Sequence, residues 1–303
     1  LIEKLEYLIA LAREKHFSRA AEACGVTQPT LSAGIKQLEE QLGVMLVRRG
    51  ARFEGLTPDG ERALEWARRI VGEARGLRAA MRASRRGPSG RIVIAVVPTA
   101  LAATPDLLEP FAAENPEVEI VIRSLSSAEI LAAIDDLIVD VGVSYLDDEP
   151  IGRRRAEPLY VERYALIARR GGALAGRDRI GWADLAGQPL ALLTPDMQNR
   201  RIIERTFAGL GLAVEPRMQS DSMVALAAHV ATGRYVSIMP LRLARMFGAE
   251  IETAPLDEPD VARTIGVLAP DREPLAPAVE ALLRAARRIW RRAEPDPGPD
   301  PER

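Results

Sequence analysis

Three arginines and a set of short polar residues near the N-terminus have the types and spacing that hold nucleic acid. Arg48, Arg49 and Arg52 cluster around Gly50, where guanidinium groups can lie along phosphates or enter a minor groove. Lys36 and Arg19 extend the same positive footprint. Between them, Thr27, Gln28, Pro29, Thr30, Ser32 and Ala33 crowd the first turns of one helix, with Ser18 on the helix before it. Amide and hydroxyl groups at a helix start can reach base edges in a major groove.

A second set of polar residues offers different chemistry. Thr99 in "VVPTA", Ser126 and Ser127 in "SLSSAE", and Thr194 in "LLTPDMQNR" each follow a strand-like run and precede a helical one. Helix N-termini carry unpaired N–H groups and a partial positive charge, which suits a carboxylate or another small anion. In open α/β sheets ligands sit outside the carboxyl ends of the strands. Each hydroxyl can serve equally as an N-cap, yet three equivalent settings point to one shared effector cleft.

Covalent and metal chemistry find no footing. No G-x-S-x-G elbow, G-x-x-x-x-G-K-[ST] loop or H-E-x-x-H pair occurs. Cys24 is the single cysteine, which excludes an internal disulfide and reads as a core filler. His16 and His229 are the only histidines, too few for a Cys/His zinc site, and His229 lies on an apolar helix. We assign no catalytic residue, no metal ligand and no cofactor, and expect no enzyme activity.

The elements that must position these residues follow from pattern. The N-terminal apolar rhythm predicts helices over about 2–15, 18–24 capped by Ser18, and 27–43 capped by Thr27, with Gly25 allowing the turn between the last two. Leu31, Ile35, Leu38 and Leu42 form one buried stripe on the third helix. "VMLV", a turn at "RRGAR" and a return to Leu56 predict a strand hairpin. "TPDGER" starts a long helix to about Ser84, and "RRGPSG" at 85–90 is a linker. On that helix Ala63, Ala67, Ile70, Ala74, Leu77 and Met81 are spaced by fours and threes, a dimerisation seam of coiled-coil type. Beyond residue 90 short β-branched runs alternate with helical stretches, which predicts α/β architecture with mainly parallel sheets. A last helix spans about 275–292, and "EPDPGPDPER" is too proline-rich and polar to pack.

Charge divides at the same place. Of the 303 residues, the first 90 carry a balance of +5 and the remainder −7. A basic module on an acidic body suggests a polyanion partner for the first part alone. No apolar run approaches the roughly 18 residues of a membrane span, and charges interrupt the N-terminal segment where a secretory signal would need an apolar core. The expectation is a soluble cytoplasmic protein without a membrane partner.

With "FSRAAEACGVTQPTLSAGIKQLEEQLGVMLVRR", "LTPDGERAL" and "HVATGRYVSIMP", the chain resembles the LysR-type transcriptional regulators over essentially residues 1–292. The resemblance implies a winged helix-turn-helix domain, a long dimerising helix and a periplasmic-binding-protein-like effector domain of two α/β lobes. Gln28, Pro29 and Ser32 match the positions that contact DNA, and Arg49 and Arg52 fall in the wing. Two departures stand out. Ala33-Gly34 follows Ser32 where the family usually has a large polar residue, which shifts weight from base reading to the wing and DNA shape. Arg234-Tyr235 replaces a small, glycine-containing pair.

The reading is a sequence-specific, DNA-binding transcriptional regulator that responds to a small anionic metabolite. Its expected partners are double-stranded DNA at a pseudo-palindromic promoter site, the effector, and the chain itself as a homodimer pairing into a tetramer. The expected division is a DNA-binding domain over 1–57, a dimerisation helix and hinge over 58–90, an effector domain over 91–292 and a disordered tail over 293–303. Within the effector domain, lobe I covers about 91–158 and 265–292, and lobe II about 159–264. The rival reading is a solute-binding or metabolite-sequestering protein whose N-terminal helices only mediate assembly.

Overall fold

The structure, a computed structural model, describes residues 1–48, 53–172, 177 and 180–293. Three helices open the chain: α1 (Ile2–Glu14), α2 (Phe17–Ala23) and α3 (Gln28–Leu42). Leu8, Leu11, Leu31 and Leu38 are fully buried among them, each worth roughly 1.5–3 kcal/mol of transfer energy. Leu42 breaks the expected stripe: it is 47% exposed, because the last turn of α3 runs past the small core. Ser18 does not cap α2. The His16 backbone is extended and its Nδ1 accepts the Ser18 N–H at 3.2 Å, so Ser18 lies inside the first turn. Thr27 caps α3 as expected, accepting the Thr30 N–H.

Gly25 takes a φ of +68° between α2 and α3, a left-handed conformation that glycine adopts without strain. Gly34 answers to a different demand. A Cβ there would stand 2.6 Å from the ring of Tyr7, which packs directly on α3. After α3 the expected hairpin reduces, among the described residues, to a single antiparallel bridge between Val47 and Leu56. Glu39 ties this region to α3, its Oε1 accepting the Leu46 and Val47 N–H groups at 2.7 and 3.1 Å.

Thr57 caps the 29-residue α4 (Pro58–Arg86), accepting the Gly60 N–H at 2.9 Å. At 1.5 Å per residue such a helix extends about 43 Å. The body follows as β1 (Gly90–Val96), α5 (Thr104–Glu114), β2 (Val118–Ser124), α6 (Ser127–Asp135), β3 (Val141–Tyr145) and β4 (Arg154–Arg169). Then come β5 (Ile180–Gly181), β6 (Ala191–Leu193), α7 (Gln198–Gly209), β7 (Met218–Ser220), α8 (Met223–Ala231) and β8 (Ser237–Pro240). Short α9 (Leu241–Ala244), β9 (Ile251–Asp257), β10 (Ala262–Pro270) and α10 (Pro277–Ala293) complete it. The expected disordered tail lies outside the described residues, apart from Ala293, which closes α10.

The sheets are mixed rather than mainly parallel. β1 runs parallel to β2 and β3, but β10 runs antiparallel to both β3 and β4, and β4 antiparallel to β8 and β9. The reason is that β4 and β10 belong to both lobes. Residues 154–163 of β4 pair with β10, while residues 164–169 pair with β8 and β9. A register shift at Ile265/Gly266 bends the β10–β4 ladder where one lobe gives way to the other. None of the described helices is long and apolar enough to cross a membrane.

Candidate nucleic-acid interface and interlobe cleft

Burial of Leu31, Gly34, Ile35 and Leu38 turns the opposite face of α3 outward. Gln28, Pro29, Thr30, Ser32, Ala33 and Lys36 are all exposed there. Their side chains are not equally free. The Ser18 hydroxyl donates to Gln28 Oε1 at 2.8 Å, which holds the amide and leaves its NH2 group outward as a donor. The Thr27 and Thr30 hydroxyls share a hydrogen bond of 2.8 Å, so both belong to the cap. Lys36 stands 3.9 Å from Glu40, both exposed, a pair too solvated to hold the ammonium back from a phosphate. Arg19 donates to the Glu14 carbonyl at 2.7 Å, and Arg48 to the Leu56 carbonyl at 3.1 Å. Arg49 and Arg52 lie outside the described residues. The surface therefore offers donors and positive charge around one helix end, a geometry that fits a major groove.

On α4 the apolar stripe is rotated from the expected seam. Ala67 is fully buried, and with Ala63 it packs on the core of the three N-terminal helices. Trp66, Leu77 and Met81 are instead 60–62% exposed, and Ile70 joins them. Sequence spacing missed Trp66, because two alanines in register carry no information about which side faces outward. The seam that remains open is Trp66, Ile70, Leu77 and Met81, with Ala74 half-buried beside it.

Two of the four predicted cleft residues reach the first turn of α7, Ser127 through Arg201 and Thr99 through Tyr145 and Asn199. Ser126 is committed to its own helix. Its hydroxyl accepts the Glu129 N–H, while Glu129 accepts the Ser126 N–H and hydroxyl, so a carboxylate already occupies the N-terminus of α6. Ser127 meets Arg201 at 3.5 Å, and that guanidinium also makes two bonds of 2.7 Å to Glu149. Gln198 donates to the Asp147 carbonyl at 3.0 Å. Arg242 of α9 further pairs with Asp106 of α5. Lobe II is thus clasped onto lobe I.

Beneath the clasp runs a buried polar network that the sequence reading did not identify. The Tyr145 hydroxyl donates to Glu162 Oε1 at 2.7 Å, which leaves its oxygen to accept from Thr99 Oγ1 at 2.9 Å and Asn199 Nδ2 at 3.2 Å. The Tyr160 hydroxyl donates to the other Glu162 oxygen at 3.2 Å. Burial pushes the Glu162 carboxyl up to about 7, against the stabilising bonds from the two tyrosines. The buried oxygens in this region without a hydrogen-bond partner among the described residues include Asn199 Oδ1 and Thr194 Oγ1, both shielded from solvent. A signal was present in "LYVERYAL", where period-two alternation sets Tyr160, Glu162 and Tyr164 on one face of the strand. Among the described residues no three His, Cys, Asp or Glu side chains are placed to share a metal ion.

Comparison with known proteins gives this geometry a context. Residues 2–61 match the family model described as bacterial regulatory helix-turn-helix protein, lysR family, and residues 85–291 match the LysR substrate binding domain. The DNA-binding transcriptional dual regulator OxyR of Escherichia coli K12 is 29% identical over 289 residues, covering 94% of each chain. The SDS degradation transcriptional activation protein of Pseudomonas sp. (strain ATCC 19151) is 31% identical over 297 residues, covering 93% of this chain and 94% of its own. Among solved structures, a full-length OxyR variant from Pseudomonas aeruginosa superposes with a TM-score of 0.75 at 24% identity, covering 95% and 94% of the two chains. Full-length CbnR in complex with its target DNA gives 0.61 at 23% identity, covering 95% and 99%.

Proposed function

The chain belongs to the LysR family of bacterial DNA-binding transcriptional regulators, and from that premise we propose that its input is a small hydroxylated acid held between the two lobes. The observation that carries this reading is the unpaired, buried Asn199 Oδ1 beside Thr99 and Tyr145. A buried acceptor left empty costs about 1–3 kcal/mol, and a hydroxyl of the effector would fill it. The acid end of the same molecule would lie against Ser127 and Arg201, where it would compete with Glu149 for the guanidinium. Thr99, Asn199 and Thr194 would hold the hydroxylated end, and Ser126 would act only through its helix.

The DNA-reading surface would be α3, with Gln28 and Ser32 at the bases, Lys36 and Arg19 at phosphates, and Arg48, Arg49 and Arg52 in the wing. The chain would act as a dimer through Trp66, Ile70, Leu77 and Met81, and pairs of dimers would form the tetramer. Relatives named for hydrogen peroxide-inducible genes raise hydrogen peroxide as an alternative input. Residues 91–303 contain no cysteine, so thiol oxidation in the effector region is closed to this chain.

Calorimetry on the full chain with a panel of small hydroxy acids and their deoxy analogues tests the proposal. The expected result is binding that prefers the hydroxylated member and weakens about ten- to a hundredfold in Thr99→Val. Equal affinity for hydroxylated and deoxy acids, or an unchanged affinity in Thr99→Val, would overturn it.

A further inference from the structure

A cavity of about 310 Å³ lies away from both surfaces described so far, where α4 passes over the start of β1 and the segment leading into α10. Its wall carries Arg75, Arg78, Arg82, Arg91 and Arg272, against one carboxylate, Asp140. Arg75 is satisfied, pairing with Glu6 and the Leu137 carbonyl at 3.0 Å each. The guanidinium groups of the other four make no hydrogen bond or ion pair with any described residue. Asp140 is a poor counter-charge for them. One of its oxygens accepts the Val93 N–H at 2.7 Å, and burial pushes its carboxyl up, disfavouring the charged form.

Arg272 is the most telling of the four. Its guanidinium lies against Gly72 of α4, where a Cβ would stand 1.9 Å from Nη1. A glycine in mid-helix thus makes room for a cation beside other cations. Burial draws the Arg272 pKa down, and the charge of Arg75 adds to that drop, while Glu73 and Asp140 act against it. Guanidinium groups drawn from three separate segments, with no acceptor of their own, present the forks that bind phosphate and carboxylate oxygens in pairs. The volume suits a compact organic or inorganic anion.

We infer that this cavity is a second ligand site, built for a small polyanion carrying two or more phosphoryl or carboxylate groups. Arg78 and Arg82 would grip it from the linker helix, and Arg91 and Arg272 from the body. The bound anion therefore bridges the arm that carries the DNA-binding domain to the domain that holds the effector. Its occupancy fixes α4 against the body, an input separate from the interlobe cleft.

The test is calorimetry on the full chain with inorganic triphosphate and with propane-1,2,3-tricarboxylate, a polycarboxylate without the hydroxyl that the cleft would select, which separates phosphoryl from carboxylate chemistry. One probe is expected to bind once per chain and to weaken about ten- to a hundredfold both in Arg272→Ala and in the Arg78→Ala/Arg82→Ala pair. The paired substitution lies on an exposed helix face, so it remains informative should Arg272→Ala unfold. Lys36→Ala at the DNA surface and Thr99→Val in the cleft are expected to leave this binding unchanged. Failure of both probes to bind, undiminished binding in the paired variant, or an equal loss in Lys36→Ala would each overturn the assignment.

Discussion

The two ends of the molecule handle polar side chains in opposite ways. On α3 every group proposed to read DNA is exposed, and only Gln28 is held in place, by one bond from Ser18. Between the lobes Thr99, Tyr145 and Glu162 are almost wholly buried and joined in one network. Water already satisfies an exposed group, so losing it removes one contact and leaves the fold alone. A buried group has only its neighbours, and losing it disturbs all of them. The first surface can change its target residue by residue. The second changes as a unit.

The largest test of that contrast concerns what makes the exposed surface strong at all. Individually weak contacts gain from pairing, since joining two half-sites can raise affinity by about 10²–10⁴. Leu77→Asp with Met81→Asp is expected to give monomers by sedimentation and to weaken operator binding by that order. A double variant that stays dimeric would break the comparison, because the seam on α4 would lie elsewhere.

Next in size is Glu162. Its folded carboxyl sits at about 7, above the ordinary 4.5, so the native state holds the proton more tightly than the unfolded chain. Stability therefore falls as pH rises from about 4.5 to 7, and above 7 the whole cost is present, roughly 3 kcal/mol. Glu162→Gln is expected to melt higher than the parent at pH 8, with the difference vanishing near pH 4. A gap that is the same at both pH values would show that the carboxyl is not buried as charge.

Smaller and local effects are expected on α3. Gln28→Ala should cost about 1–3 kcal/mol at one base position and flatten discrimination there. Binding measured against a set of single-base operator variants checks this, and a uniform loss across the set would deny Gln28 a reading role. Least of all, Lys36→Ala is expected to weaken every sequence alike and to lower the salt slope by about 0.9. An unchanged slope would remove Lys36 from the phosphate contacts.

How far these regions could be read in advance follows the same division. The turn between α2 and α3 was legible because its signals are local: Thr27 caps, Pro29 opens the helix and Gly25 takes the left-handed turn. Ser18 is not the cap, because His16, two residues earlier, supplies one with a ring nitrogen. The alternation of strands and helices was legible, but the direction of pairing was not, since β10 meets β3 and β4 across about a hundred residues of chain or more. On α4 periodicity identified a stripe and misplaced its face by treating Ala67 as open and overlooking Trp66. Thr99 could be named from its place after a strand, whereas Tyr145 and Asn199 become partners only once the lobes close.

The strand β4 gives the body its mechanical character. One continuous run of backbone supplies ladder bonds to lobe I and then to lobe II, so neither lobe can melt without fraying the other. The body is expected to unfold in a single cooperative transition, with the amides of β4 among the slowest to exchange with deuterium. The DNA-binding helices have a separate core, anchored on Leu8, Leu31 and Leu38. Among the described residues only the edge at Leu137 joins that core to the body, so these helices are expected to unfold and refold as a unit of their own on an intact sensor.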